Sequence, residues 1–135
     1  MRRIACAFAV LLVCAACTGS LLETDLPVPA HYVLAAAPAA QSTAAATQAN
    51  LSIGLPAFAP GLDTERIAVL KGRQLDYYRA VRWGGKASDV VQTLIVDSLE
   101  AQKLFRSVTT EQARVASDYV LDIAVRDFQS EYAGA

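Results

Sequence analysis

The sequence predicts an α/β domain of the α+β type: a small sheet of three to four or more strands with one amphipathic helix on one face. Three observations lead there. Apolar residues recur at helical spacing between Ser88 and Lys103. Short runs that alternate apolar and polar side chains lie on both sides of that segment, the period-2 mark of strands. A glycine-bearing turn, Lys71-Gly72-Arg73, joins two of those runs as a hairpin would.

The chain of 135 residues opens on a targeting segment. Arg2 and Arg3 form a positive start, and Ile4 to Ala16 carries no charge. That apolar run is shorter than the roughly 20 residues a spanning helix needs, so residues 1–16 read as a cleavable signal. All three cysteines, Cys6, Cys14 and Cys17, fall at or before the end of this segment. The run Leu12-Val13-Cys14-Ala15-Ala16-Cys17 has the small residues that signal peptidase II requires before a cysteine. Cys14 stands where leucine is usual, a departure that its small apolar side chain accommodates. Cys17 is therefore the expected first mature residue and lipid-attachment site. The bland alternative is an ordinary signal with Cys17 left as a free thiol. Acyl chains hold a protein at a membrane by about 0.8 kcal/mol per buried methylene. Thr18, in place of the aspartate that retains lipoproteins at the inner membrane of enteric bacteria, favours the outer membrane.

Removing Arg2 and Arg3 from the 12 basic side chains leaves 10 against 13 acidic, a mature net charge of −3. Such a balance argues against nucleic-acid binding, which needs a basic stripe to displace counterions. With no cysteine after Cys17, packing alone must stabilise the domain.

Residues 17–30 are polar, contain proline and lack periodicity, as a tether does. His31-Tyr32-Val33-Leu34 is a short β-prone run that opens the domain, which is expected over 31–135. Ala35 to Asn50 is rich in Ala, Gln, Ser and Thr and reads as a low-complexity linker. Leu51, Ile53 and Leu55 alternate with Ser52 and Gly54 as in a half-buried strand, which Pro56, Pro60 and Gly61 end. Arg66 to Leu70 and Gln74 to Arg79 form the two arms of the hairpin, and Trp83-Gly84-Gly85 closes them. Ser88 is a good N-cap and Asp89 suits the first turn of a helix. Val91, Leu94, Ile95, Ser98 and Leu99 form its expected buried stripe. Leu104 to Val108 turns extended again. In Asp118 to Phe128, Tyr119, Leu121, Ile123 and Val125 alternate with Asp122 and Arg126 as one continuous strand would. A sheet needs cover on at least one face, and little sequence remains after Phe128 to provide a second layer. The reading therefore expects a chain that is incomplete at its C-terminal end.

Catalytic groups are scarce. His31 is the single histidine and sits beside the tether, so no base is placed to activate a serine nucleophile. No phosphate-binding Gly-x-x-x-x-Gly-Lys loop occurs, and no spaced ligand set suits zinc. No cofactor is expected. Asp63 and Glu65 share a face of an extended chain and could form a carboxylate pair, but an exposed loop-rim pair explains them more simply. Tyr77, Tyr78 and Trp83 are candidates to line an apolar groove or partner surface, the alternative being core packing of large rings. Arg82 is placed to stack on Trp83.

The ordered set Ala59-Pro60-Gly61-Leu62-Asp63-Thr64-Glu65-Arg66-Ile67-Ala68, Leu75-Asp76-Tyr77-Tyr78, Arg82-Trp83, Leu94 and Leu99, Phe105, Asp118-Tyr119-Val120-Leu121 and Arg126-Asp127-Phe128 resembles the ABC-type transport auxiliary lipoproteins. This group includes the lipoprotein of the paraquat-inducible operon. Members of it usually run some tens of residues further. The resemblance implies a lipid-tethered periplasmic domain without catalytic activity. It also implies an MCE-domain protein and an ABC permease complex as partners, in transport of lipids or other apolar compounds between two membranes. A module that binds or carries lipid directly is the alternative.

Overall fold

A computed structural model describes residues 28–37 and 44–132; the expected signal, Cys17, nearly all of the tether and part of the linker lie outside the described residues. Among the described residues, nine strands and one α-helix follow in the order β1 (Ala30–Tyr32), β2 (Asn50–Ile53), β3 (Ala57–Phe58), β4 (Arg66–Lys71), β5 (Gln74–Trp83), α1 (Ala87–Gln102), β6 (Ser107–Thr110), β7 (Tyr119–Leu121), β8 (Ala124–Val125) and β9 (Gln129–Tyr132). A 3-10 turn over Glu111–Ala113 links β6 to β7. The class is α+β, as predicted.

The strands divide into three groups: a mixed sheet β1-β5-β4-β9, a parallel sheet β6-β2-β7 and a short parallel pair β3-β8. The expected hairpin is β4–β5, paired from Lys71↔Gln74. Gly72 takes the first central position of its two-residue turn at φ 62°, as the mirror-image turns of tight hairpins require.

The parallel sheet holds the core. Leu51, Ile53 and Val108 are buried in it, and Ile95, Val96 and Leu99 of α1 pack against them together with Phe105 and Ile123. β2 was expected to be half-buried, yet Ser52 is as buried as its neighbours and Leu55, outside the strand, is 48 % exposed. β2 is the central strand of its sheet, and the burial of Leu51, Ser52 and Ile53 alike means that both of its faces are covered, as is usual for parallel sheets, which removes the alternation.

The helix begins and ends within a residue of expectation, but its cap and face differ. Lys86, not Ser88, is the N-cap residue and supplies no side-chain bond. Asp63 does so from the loop before β4, accepting the Ser88 N–H at 3.0 Å. Lys103 closes the other end in the left-handed region at φ 53°. The side packed most deeply carries Ser88 and Gln92 with Ile95, Val96 and Leu99, rotated from the stripe through Val91 and Leu94. Gln92 is only 7 % exposed and donates from Nε2 to the Ile53 carbonyl at 3.0 Å. That bond ties the helix to the central strand at a point where an apolar side chain would leave the carbonyl without it.

The expected single strand from Asp118 to Phe128 is interrupted after Leu121 and resumes as β8. Its partner breaks at the same place. β2 and β3 are separated by Gly54-Leu55-Pro56, and the two chains run on side by side. Gly54 N–H donates to the Leu121 carbonyl, Ala57 N–H to that of Ile123, and Ala59 N–H to that of Val125. Of the four residues expected to share one face of this segment, Ile123 and Val125 are half-buried, whereas Tyr119 and Leu121 are 62 % and 39 % exposed. No layer among the described residues lies beyond β7 to cover them.

Candidate functional site

The hairpin does not follow a regular ladder. Arg66 pairs with Arg82 and Ala68 with Tyr77, so two steps along β4 span five along β5. A bulge of this kind bends the strand and resets which side chains share a face. In an unbroken strand Tyr78 and Trp83, an odd number of residues apart, would point to opposite faces. The bulge brings them together.

Tyr78, Val81 and Trp83 of β5, Ile67 of β4 and Tyr32 of β1 line one open cleft of about 280 Å³. The wall is almost wholly apolar. Trp83 rests on Phe128 at 5.3 Å between ring centres, and Phe128 meets Phe58 edge to face at 5.4 Å. Edge-to-face and offset contacts of this kind are the favoured aromatic geometries and hold the tryptophan in place. The Tyr78 hydroxyl lies 3.1 Å from the Ser130 Oγ, joining the cleft to β9.

Tyr77 does not line this cleft. Its hydroxyl donates to the Gly61 carbonyl at 2.8 Å, and the Arg66 guanidinium sits 4.0 Å from its ring centre. Gly61 adopts φ 84°, and a Cβ there would meet Leu75 at 2.9 Å, so this contact holds the loop before β4 tightly against the hairpin. The cation–π contact thus falls on Arg66 and Tyr77, while the expected Arg82 stacks on no ring among the described residues; Trp83 finds Phe128 instead. Tyr77 and Tyr78 also border a second, more polar depression of about 520 Å³ with Val69, Lys71, Asp76 and Arg79. Lys71 and Asp76 form an ion pair there at 3.3 Å, and it is solvent-exposed. The Asp76 carboxyl is held below the usual carboxylate range, first by the Tyr77 N–H and then by Lys71.

Of the residues singled out in the sequence, Tyr78 and Trp83 meet in the cleft, Tyr77 buttresses a loop, and Cys17 lies outside the described residues. Asp63 is a helix cap and no partner for Glu65. His31 lies exposed in β1, in register with Arg82. Sequence reasoning missed Phe58 and Phe128. Each ends a short alternating run, and only the parallel pairing of β3 with β8 brings those runs together. Among the described residues no three His, Cys, Asp or Glu side chains gather as a metal site would need, and no helix is long and apolar enough to cross a membrane.

A family model described as the ABC-type transport auxiliary lipoprotein component matches residues 32–135. Among solved structures, the chain is similar to the crystal structure of a Xanthomonas campestris protein assigned to family DUF330. The two are 27 % identical with a TM-score of 0.66 over 77 % of this chain and 58 % of that one. It is also similar to the crystal structure of an uncharacterized protein, 15 % identical with a TM-score of 0.60, over 79 % of this chain and 63 % of that one. At the lower identity the likeness speaks for the fold alone. The chain thus spans about three-fifths of the length of these two structures. No curated protein matches the sequence.

Proposed function

The chain belongs to the ABC-type transport auxiliary lipoprotein family, and we propose that it works as a non-enzymatic docking component of an MCE-linked ABC transport system. In this reading Cys17 carries the lipid. The anchor sits at the periplasmic face of a Gram-negative membrane, the outer one by the argument from Thr18. The domain's part is positional: it holds a protein surface near the route along which lipids or other apolar compounds pass. The observation that carries the reading is the family match over residues 32–135, directly after a lipobox-like segment and its tether. The scarcity of nucleophile–base pairs in the sequence agrees with it.

Purification of the tagged protein from membranes in mild detergent tests the assignment. Recovery of an MCE-domain protein and permease subunits is expected. Repeated recovery of neither, with the chain intact and in the membrane fraction, would overturn it.

A second reading rests on one specific feature, the cleft between Tyr32, Ile67, Tyr78, Val81 and Trp83. Its apolar wall suits an acyl chain, and a module that binds lipid directly would use it. Native mass spectrometry separates the two: a carrier retains stoichiometric phospholipid, lost on Trp83→Ala, whereas a docking part carries none.

A further inference from the structure

The mixed sheet sets three basic side chains in one row. His31 of β1 is in register with Arg82 of β5, and Arg82 with Arg66 of β4. Residues in register on neighbouring strands share a face, so the row crosses three strands and spans about 10 Å. The Trp83 N–H donates to the Glu65 carbonyl at 2.7 Å, just outside the two arginines. That bond marks Arg66 and Arg82 as a non-hydrogen-bonded pair, the kind whose side chains stand closer. Among the described residues, His31 and Arg66 are exposed and Arg82 is half-buried.

Like charges directly opposite one another destabilise a strand pair. Arg66 is nevertheless held there. Its guanidinium lies 4.0 Å from the Tyr77 ring centre, and the Tyr77 hydroxyl is fixed on the Gly61 carbonyl at 2.8 Å. A bound anion reverses the sign of the arrangement, because two guanidinium groups then share one partner. Phosphate suits them, since its oxygens accept the paired N–H groups of a guanidinium. The mature chain carries 10 basic against 13 acidic side chains. Attraction to an anionic surface must therefore come from a local grouping such as this one.

Two observations point to a lipid phosphate and not a soluble one. β1 is the first strand among the described residues, and Ala30 follows Cys17 by 13 residues. A chain of that length reaches at most about 45 Å. One register step beyond the row stand Tyr32 and Trp83, paired on the opposite face. Large rings with one polar atom settle at the headgroup level of a bilayer. This end of the sheet thus offers cations on one face and interfacial aromatics on the other.

We propose that His31, Arg82 and Arg66 bind the phosphate of anionic phospholipid headgroups, which lays this end of the mixed sheet on the membrane that holds Cys17. The proposal rests on the anchored reading for its distance from the bilayer. The contact itself needs no acyl chain. Its test therefore uses the mature chain with Cys17→Ser, which keeps every described residue, and either idea can fail alone.

The test is flotation of that chain with vesicles of phosphatidylcholine, alone or with about one-third phosphatidylglycerol, at low salt. Binding to the mixed vesicles is expected to exceed that to the neutral ones by about tenfold or more, and to vanish at high salt. Arg66→Gln and Arg82→Gln should each weaken it by about fivefold, the effect of one cation near an anionic surface. Arg66→Lys keeps the charge and should bind nearly as well, which separates loss of a cation from loss of packing. Arg73→Gln, at the hairpin turn, should leave binding unchanged. Failure to bind the mixed vesicles, indifference to Arg66→Gln and Arg82→Gln, or an equal loss with Arg73→Gln would overturn the proposal. So would stabilisation by millimolar inorganic phosphate at constant ionic strength without vesicle binding, which would assign the row to a soluble anion.

Discussion

At the loop before β4, the Asp63 carboxylate receives the Ser88 amide at 3.0 Å, so a residue 25 positions away caps the helix. Asp63→Ala removes a partner from the first turn and is expected to cost about 1 kcal/mol, measured as a lower urea midpoint at unchanged m. Asp76 acts through charge. Its carboxyl is held below the usual range by the Tyr77 N–H and Lys71, both of which favour the ionised form. A depressed folded-state pKa gives stability that is present above the unfolded value, about 3.9, and is lost as pH falls through the folded one. Asp76→Asn should therefore lower the urea midpoint at pH 7, and the gap from wild type should shrink toward pH 3. A gap that grows on acidification would contradict this sign. Neither role was legible in the sequence, where Asp63 reads as half of an acid pair and Asp76 appears only within the family-like run Leu75-Asp76-Tyr77-Tyr78. Both depend on a neighbour's backbone.

Between elements, Gly54, just after β2, lies close against the end of β7. A Cβ there would stand 2.9 Å from the Asp122 carboxylate and 3.3 Å from the Leu121 carbonyl. The exposed Asp122 carboxylate can swing aside, but the Leu121 carbonyl is backbone, so Gly54→Ala is expected to shift β7 slightly from β2 and to destabilise the domain by about 1 kcal/mol, the low end for overpacking. Amide exchange at Gly54, whose N–H donates to Leu121, should rise with it. A variant with wild-type exchange at that amide would show that β7 yields without cost. The helix shows how far local pattern carries. Its ends were legible because Gly84, Gly85 and the polar residues after Leu99 punctuate the sequence. Its buried face was not, because Val90, Val91, Leu94, Ile95, Val96 and Leu99 spread apolar character over a wide arc. The contact with β2 and β6 chose among them, and it also buried Gln92, whose partner is the Ile53 carbonyl on another element. Gln92→Leu is expected to cost about 1–3 kcal/mol through that lost bond. The aromatic cleft was half legible: Tyr78 and Trp83 stand out by type, but only the bulge in β5 puts them on one face.

For the whole molecule, class and order of elements were readable because hairpin, helix and strands each carry their own period. The grouping of strands into a mixed sheet and a parallel sheet was not, since parallel partners lie far apart in sequence and leave no turn between them. Family membership rests on residues 32–135 taken together and on no single motif. The functional account adds one chemical claim, that the domain acts where a lipid on Cys17 holds it. Mass spectrometry of the N-terminal peptide, from protein purified out of membranes, tests this most directly. The account predicts a chain that begins at Cys17 with acyl groups on it, and a Cys17→Ser form that leaves the membrane fraction. A mature chain with an unmodified thiol at that cysteine would contradict it.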